Sequence, residues 1–160
     1  MKIRAADRSD APLILAFIRE LAAYEKLAED VVATEETLAA TLFGPHPAAE
    51  VLIAELDGAA VGFALFFPNY STFLGKAGLY LEDVFVRPGA RGRGVGRALL
   101  CRLAAIAMER GCGRLEWAVL DWNESAIGFY KKLGAAAQSD WTTYRLTGDA
   151  LSALSDEDET

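Results

Sequence analysis

The chain predicts an α/β (mixed α+β) domain in which a central mixed, mostly antiparallel sheet carries helices on both faces. Three observations predict it. Segments with strand and helix periods alternate in the order β-α-α-β-β-β-α-β-α-β. Two β-rich runs flank Asp57-Gly58, the pair of residues that a tight hairpin turn favours. A third apolar run, residues 79–86, passes into an Arg/Gly turn that opens a helix.

Each element has a local reason. Residues 2–5 form a short strand, and Ser9-Asp10-Ala11-Pro12 supplies a capping side chain and a first-turn proline for a helix. Leu13, Phe17, Leu21 and Tyr24 then recur at helical spacing, so one face is core. A second short helix begins at Thr34, with Glu35 and Glu36 at its positive end and Leu38 and Leu42 inward, and stops at Gly44-Pro45. Residues 51–56 and 61–67 are the hairpin strands, and 79–86 is the next. Val95, Leu99, Leu103 and Ile106 form a helical stripe that Gly111 ends. A strand at 115–120 follows, then a helix capped by Asn123, carrying Ile127, Tyr130 and Leu133 and closed by Gly134. A final strand is predicted at 142–146. Residues 1–150 read as one domain and 151–160 as an acidic tail, with Asp156-Glu157-Asp158-Glu159 frayed and solvated.

Composition narrows the function. At 160 residues and 52% hydrophobic content the chain can bury a substantial core. Its net charge of -7 disfavours nucleic acid as a partner and suits a cationic substrate. The first residues lack a signal-peptide core, and residues 59–68, the longest apolar run, are too short to span a bilayer, so no membrane partner and a cytoplasmic location are expected. Cys101 and Cys112 have no metal-ligand spacing and there is one histidine, His46, between two prolines; no metal is expected and the thiols read as reduced.

Against that acidity, residues 87–114 hold seven arginines and one acid, Glu109. Within this basic stretch, Arg91-Gly92-Arg93-Gly94-Val95-Gly96-Arg97 lies between a strand and a helix. Glycines let the backbone approach an anion, and the first-turn N–H groups of the helix have no partner inside it. A polyphosphate ligand fits. A dinucleotide fingerprint wants G-x-G-x-x-G, whereas the spacing here is G-x-G-x-G.

The spacing Arg91-x-x-Gly94-x-Gly96 resembles the coenzyme A pyrophosphate loop of the GNAT N-acetyltransferase superfamily. The stretch from Tyr80-Leu81-Glu82-Asp83-Val84-Phe85-Val86 before it, the run from Asp121 to Ala135 after it, and Ala23-Tyr24-Glu25, Thr34-Glu35 and Phe43-Gly44-x-His46-Pro47 are similar to the spermidine/spermine and thialysine N-acetyltransferase branch. The resemblance implies a GNAT fold and acetyl-CoA as acetyl donor. It implies that Val84, Phe85 and Val86 hold the thioester through backbone N–H groups freed by a strand bulge, and that Arg91, Gly92, Arg93, Gly94, Val95, Gly96 and Arg97 hold the pyrophosphate. It puts the base on Glu82 and the acid that protonates the departing thiolate on Tyr130.

Each of these residues also has a plainer reading. The plainer reading of Glu82 is a partly buried structural acid, and that of Tyr130 a core tyrosine with its hydroxyl at the rim. Glu82 and Asp83 are successive in a strand and are expected to face opposite sides of the sheet, so Asp83 reads as an ion pair or turn contact as readily as a substrate ligand. Asn123 reads as a helix cap, a contact to cofactor or substrate, or both. By resemblance Tyr24 and Glu25 border the acceptor pocket, and the molecule is a homodimer. Where the mammalian polyamine enzymes carry acids after the tyrosine-bearing helix, this chain has Trp141-Thr142-Thr143-Tyr144, with Asp140 the nearest acid. That departure favours short diamines or a thialysine-like diamino acid over spermine. The alternatives are a protein or peptide lysine acetyltransferase and a non-catalytic acyl-CoA-binding regulatory module.

Overall fold

The computed structural model describes residues 1–159. It contains β1 (Lys2–Ala5), α1 (Ala11–Glu25), α2 (Glu35–Phe43), β2 (Glu50–Leu56), β3 (Ala59–Ser71), β4 (Lys76–Val86), α3 (Val95–Glu109), β5 (Leu115–Trp117), α4 (Glu124–Lys132) and α5 (Gly148–Asp156). The five strands form one sheet in chain order; β1 to β4 pair antiparallel and β5 joins β4 in parallel. The mixed, mostly antiparallel sheet predicted from sequence is therefore present. The chain divides into two compact units, residues 1–118 and residues 119 onward.

In the first unit the sheet separates two apolar layers. Ile14, Phe17 and Leu21 of α1, with Leu38 and Leu42 of α2, pack on Val51, Ile53, Phe63 and Phe85. Phe17 stacks on Phe63 with ring centres 5.4 Å apart and planes 3° from parallel. The alternate strand positions Leu52, Ala64, Phe66, Leu79 and Leu81 are buried on the opposite face. There α3, which touches every strand, brings Val95, Leu99 and Leu103. Period two along the strands thus feeds both layers.

Polar residues fix the ends of elements. Asp57 and Gly58 adopt φ of 54° and 82° and turn β2 into β3, the conformation a two-residue hairpin requires. Thr34 caps α2 through a reciprocal bond pair with Thr37. Arg4 ties β1 to its neighbours, bonding Asp10 at 2.7 and 2.8 Å and Glu55 at 2.6 Å. The guanidinium holds the buried Asp10 carboxyl below its usual range.

Four features depart from the sequence expectation. β5 ends at Trp117 rather than continuing to 120, because its pairing with β4 stops at Leu81↔Trp117, immediately before β4 loses its regular register. In that register Leu65 pairs with Asp83 and Phe66 with Leu81, leaving Glu82 as the extra residue of a β-bulge. In the second unit, residues 142–146 form no strand; their side chains are exposed and no strand of that unit lies beside them. The expected frayed tail is α5 followed by a 3-10 turn, Glu157–Glu159, with Asp149 in the first turn of the helix. Its side chains through Asp158 are exposed, and the tail's last residue, Thr160, lies outside the described residues. Among the described residues no helix is long and apolar enough to cross a membrane.

Candidate active site

The Gly-rich turn is built for backbone approach. After a 3-10 turn, Pro88–Ala90, Gly92 and Gly94 take φ of 73° and 80°, a region that any side chain would strain, and α3 begins at Val95. Nothing lies within 4 Å of where a Cβ would project from either glycine. Gly96 is already helical, in the first turn of α3. Gly94 offers no side-chain cap, so the N–H groups of Val95, Gly96 and Arg97 open the helix as free-facing donors.

The basic stretch is less free than its sequence suggests. Arg87 pairs with Glu20 at 2.6 Å, Arg93 with Asp57 at 3.1 Å, Arg102 with Glu109 at 3.0 Å and Arg114 with Glu116 at 2.7 Å, while Arg110 is held by Glu50. Arg93 and Asp57 are both well exposed, and such a pair is weak and readily exchanged. Arg91 donates from Nε to the Val86 carbonyl at 2.9 Å and lies 4.7 Å over the Tyr24 ring and 5.7 Å from that of Phe85. Among the described residues Arg97 has no ion-pair partner.

Beside this turn runs the end of β4. Val84, Phe85 and Val86 pair regularly with Ala64, Phe63 and Gly62 of β3, so the bulge sits before them rather than among them. On the other side β5 pairs only with residues 79–81, and within this unit no strand flanks β4 from Glu82 to Val86. Within the first unit, then, no strand takes up this edge of β4 on the way to the glycine turn, where Arg91 bonds the Val86 carbonyl.

The bulge also rearranges the acids. Because Asp83 pairs with Leu65, which packs on the α1 layer, Asp83 lies on the face that α1 covers. The expectation that only one of Glu82 and Asp83 reaches the acceptor side rested on unbroken alternation, which the extra residue removes. Burial pushes the Asp83 carboxyl up to about 6, helped by the charges of Glu82 and of Glu25 at the end of α1. Burial raises Glu25 as well. Three carboxylates from two elements therefore share one neighbourhood, an arrangement that suits an ammonium or a transferable proton. Tyr80, which sequence reasoning passed over, is raised by burial and then by the charges of Glu82 and Glu116, and its ring lies 5.3 Å from Phe67. Its position two residues before Glu82 was the available signal.

The second unit places the remaining residues on α4. Asn123 caps this helix, accepting from the Ala126 N–H at 3.2 Å. Tyr130 lies in its last turn, half-buried, with its ring 5.4 Å from Phe129. Lys131 and Lys132 sit at the negative end of the helix.

Comparison with known proteins gives a consistent result. The sequence matches the acetyltransferase (GNAT) family over residues 17–135. It is 40% identical over 163 residues to the thialysine N-epsilon-acetyltransferase of Bos taurus, covering 95% of each chain. It is 36% identical to the L-ornithine N5-acetyltransferase NATA1 of Arabidopsis thaliana, covering 96% of this chain and 87% of that protein. Among solved structures, an integron cassette protein from the mobile metagenome of V. cholerae superposes with a TM-score of 0.80 at 30% identity, over 96% of both chains.

Proposed function

Because the chain belongs to the acetyltransferase (GNAT) family and is an acetyl-CoA-dependent N-acetyltransferase, we propose that its acceptor is a primary amine on a small dication, in first place a diamino acid of the thialysine or ornithine kind. The observation that carries the proposal is the carboxylate trio Glu25, Glu82 and Asp83 beside the edge of β4. A second ammonium on the acceptor would make a charge-assisted hydrogen bond there that a monoamine lacks. Similarity to enzymes named for thialysine and L-ornithine supports the same choice.

The residues present fit coenzyme A. Two left-handed glycines and the uncapped start of α3 form a backbone cradle for a pyrophosphate, with Arg97 and the loosely paired Arg93 adding charge. When bound, acetyl-CoA supplies an acetyl group activated as a thioester. Val84 and Val86 offer backbone groups along the strand edge to align the donor and to stabilise developing negative charge on the carbonyl oxygen. Glu82, exposed at the bulge, accepts the proton of the incoming ammonium, directly or through water. Asp83 and Glu25 would hold the distal ammonium; the part of Tyr130, as the group that would give a proton to the leaving sulfur, rests on the resemblance alone.

We take residues 1–150 as the acetyltransferase domain, working as a cytoplasmic homodimer; these assignments rest on the resemblance to the thialysine and polyamine branch. Thermal unfolding tests the donor site: at a hundredfold excess over its dissociation constant, acetyl-CoA is expected to stabilise the fold by about 2.7 kcal/mol. Incubation with acetyl-CoA and thialysine, followed by mass spectrometry, tests the acceptor. A protein stabilised by acetyl-CoA that acetylates no amine would be a non-catalytic acyl-CoA-binding module.

A further inference from the structure

Arg91 stands where the pyrophosphate loop begins, yet its side chain is directed elsewhere. Its guanidinium lies over the Tyr24 ring and beside the Phe85 ring, and its Nε bonds the Val86 carbonyl. One cation thereby joins the last turn of α1 to the last residues of β4. α1 has no basic side chain of its own in that turn; Arg91 braces it at the Tyr24 ring, about one turn beyond Glu20, through which Arg87 also ties α1 to the end of β4. Tyr24 is followed by Glu25, the last residue of α1, whose charge reaches Asp83 across the gap between helix and strand.

We propose that Arg91 is a positioning residue for the amine acceptor rather than a ligand of the donor's pyrophosphate: by clamping Tyr24 to the end of β4 it sets the spacing between Glu25 and Asp83. The inference rests on the acetyltransferase reading and deepens it. The physical basis is that a guanidinium stacked on an aromatic face and bonded to a carbonyl holds both at defined distances, whereas the backbone N–H groups of the glycine turn need no side chain to cradle an anion. Arg97, which lies in the first turn of α3 without an ion-pair partner among the described residues, is left to contribute charge to the pyrophosphate.

Two readouts separate the roles: coenzyme A affinity by calorimetry, and steady-state constants with thialysine at saturating acetyl-CoA. Arg91→Met is expected to raise the Michaelis constant for thialysine about threefold to tenfold while changing coenzyme A affinity less than threefold. Arg97→Met should do the reverse. Arg91→Lys keeps a cation over the rings and should recover part of the loss. Tyr24→Leu should reproduce the Arg91→Met defect, and the double variant should be little worse than either single one, since both break the same clamp. A tenfold loss of coenzyme A affinity in Arg91→Met with the thialysine constant unmoved would overturn the proposal. So would fully additive effects of Arg91→Met and Tyr24→Leu. Failure of the wild-type protein to bind coenzyme A would instead remove the donor site on which the proposal depends.

Discussion

The bulge at Glu82 carries Asp83 onto the sheet face that α1 covers, beside two other carboxylates. Its ordinary value of 3.8 rises to about 6, so between those values the folded chain keeps a proton that the unfolded chain releases. Folding therefore carries none of this cost below pH 3.8 and the full cost above about 6. Asp83→Asn removes the half-buried charge and is expected to stabilise the fold at pH 8 by on the order of 1–2 kcal/mol, with no gain at pH 3.5, in paired thermal scans. In the proposed acceptor site the same group faces the distal ammonium: as pH falls through about 6, Asp83 takes up its proton and affinity for a dication should drop. In Asp83→Asn that step in the pH profile should disappear. At Tyr130 a different readout applies. Tyr130→Phe keeps the ring, so stability should change little while turnover falls on the order of 10²-fold, the loss expected for a general acid. Near-native turnover in that variant would remove Tyr130 from the mechanism.

Elements place these residues, and two substitutions separate placement from chemistry. Gly94→Ala puts a side chain at φ 80°, with an expected cost of roughly 1–2 kcal/mol, and should weaken coenzyme A binding by disturbing the start of α3. Thr34→Ala removes the cap of α2 at a comparable cost of about 1 kcal/mol and should leave acetyl transfer intact, measured as Tm and turnover side by side. What could be read from sequence at this scale follows the range of the forces involved. Asp57-Gly58, the Asn123 cap and the glycine turn are local devices, legible because a few residues dictate their own backbone. The bulge was not legible: register belongs to a strand pair, and Leu81-Glu82-Asp83 alternates like any strand until Leu65 and Phe66 are set against it. Residues 142–146 show the opposite failure, since Thr, Tyr and Leu fit a strand locally while no neighbouring strand of their unit is there to pair. The seven arginines pointed to an anion by composition, but several neutralise nearby acids, which only the fold could reveal.

At the scale of the molecule, an acidic chain holds an anion cradle and a carboxylate neighbourhood side by side in one unit, at the two ends of a single stretch of β4. On the proposed reading, that arrangement would separate an anionic donor from a cationic acceptor by charge while keeping the strand edge between them for the reacting groups. Sedimentation equilibrium should give a dimer, as the resemblance implies. The most direct test of the whole account is an acceptor panel at pH 8 with acetyl-CoA, following thiol release for thialysine, L-ornithine, spermine, a monoamine of equal length and a lysine-containing peptide. The account predicts that thialysine or L-ornithine gives the highest kcat/KM, at least tenfold above the monoamine, as a second charge-assisted hydrogen bond of about 1.5–3 kcal/mol requires. Release with the peptide alone, or equal values for the monoamine and the diamino acids, would contradict it.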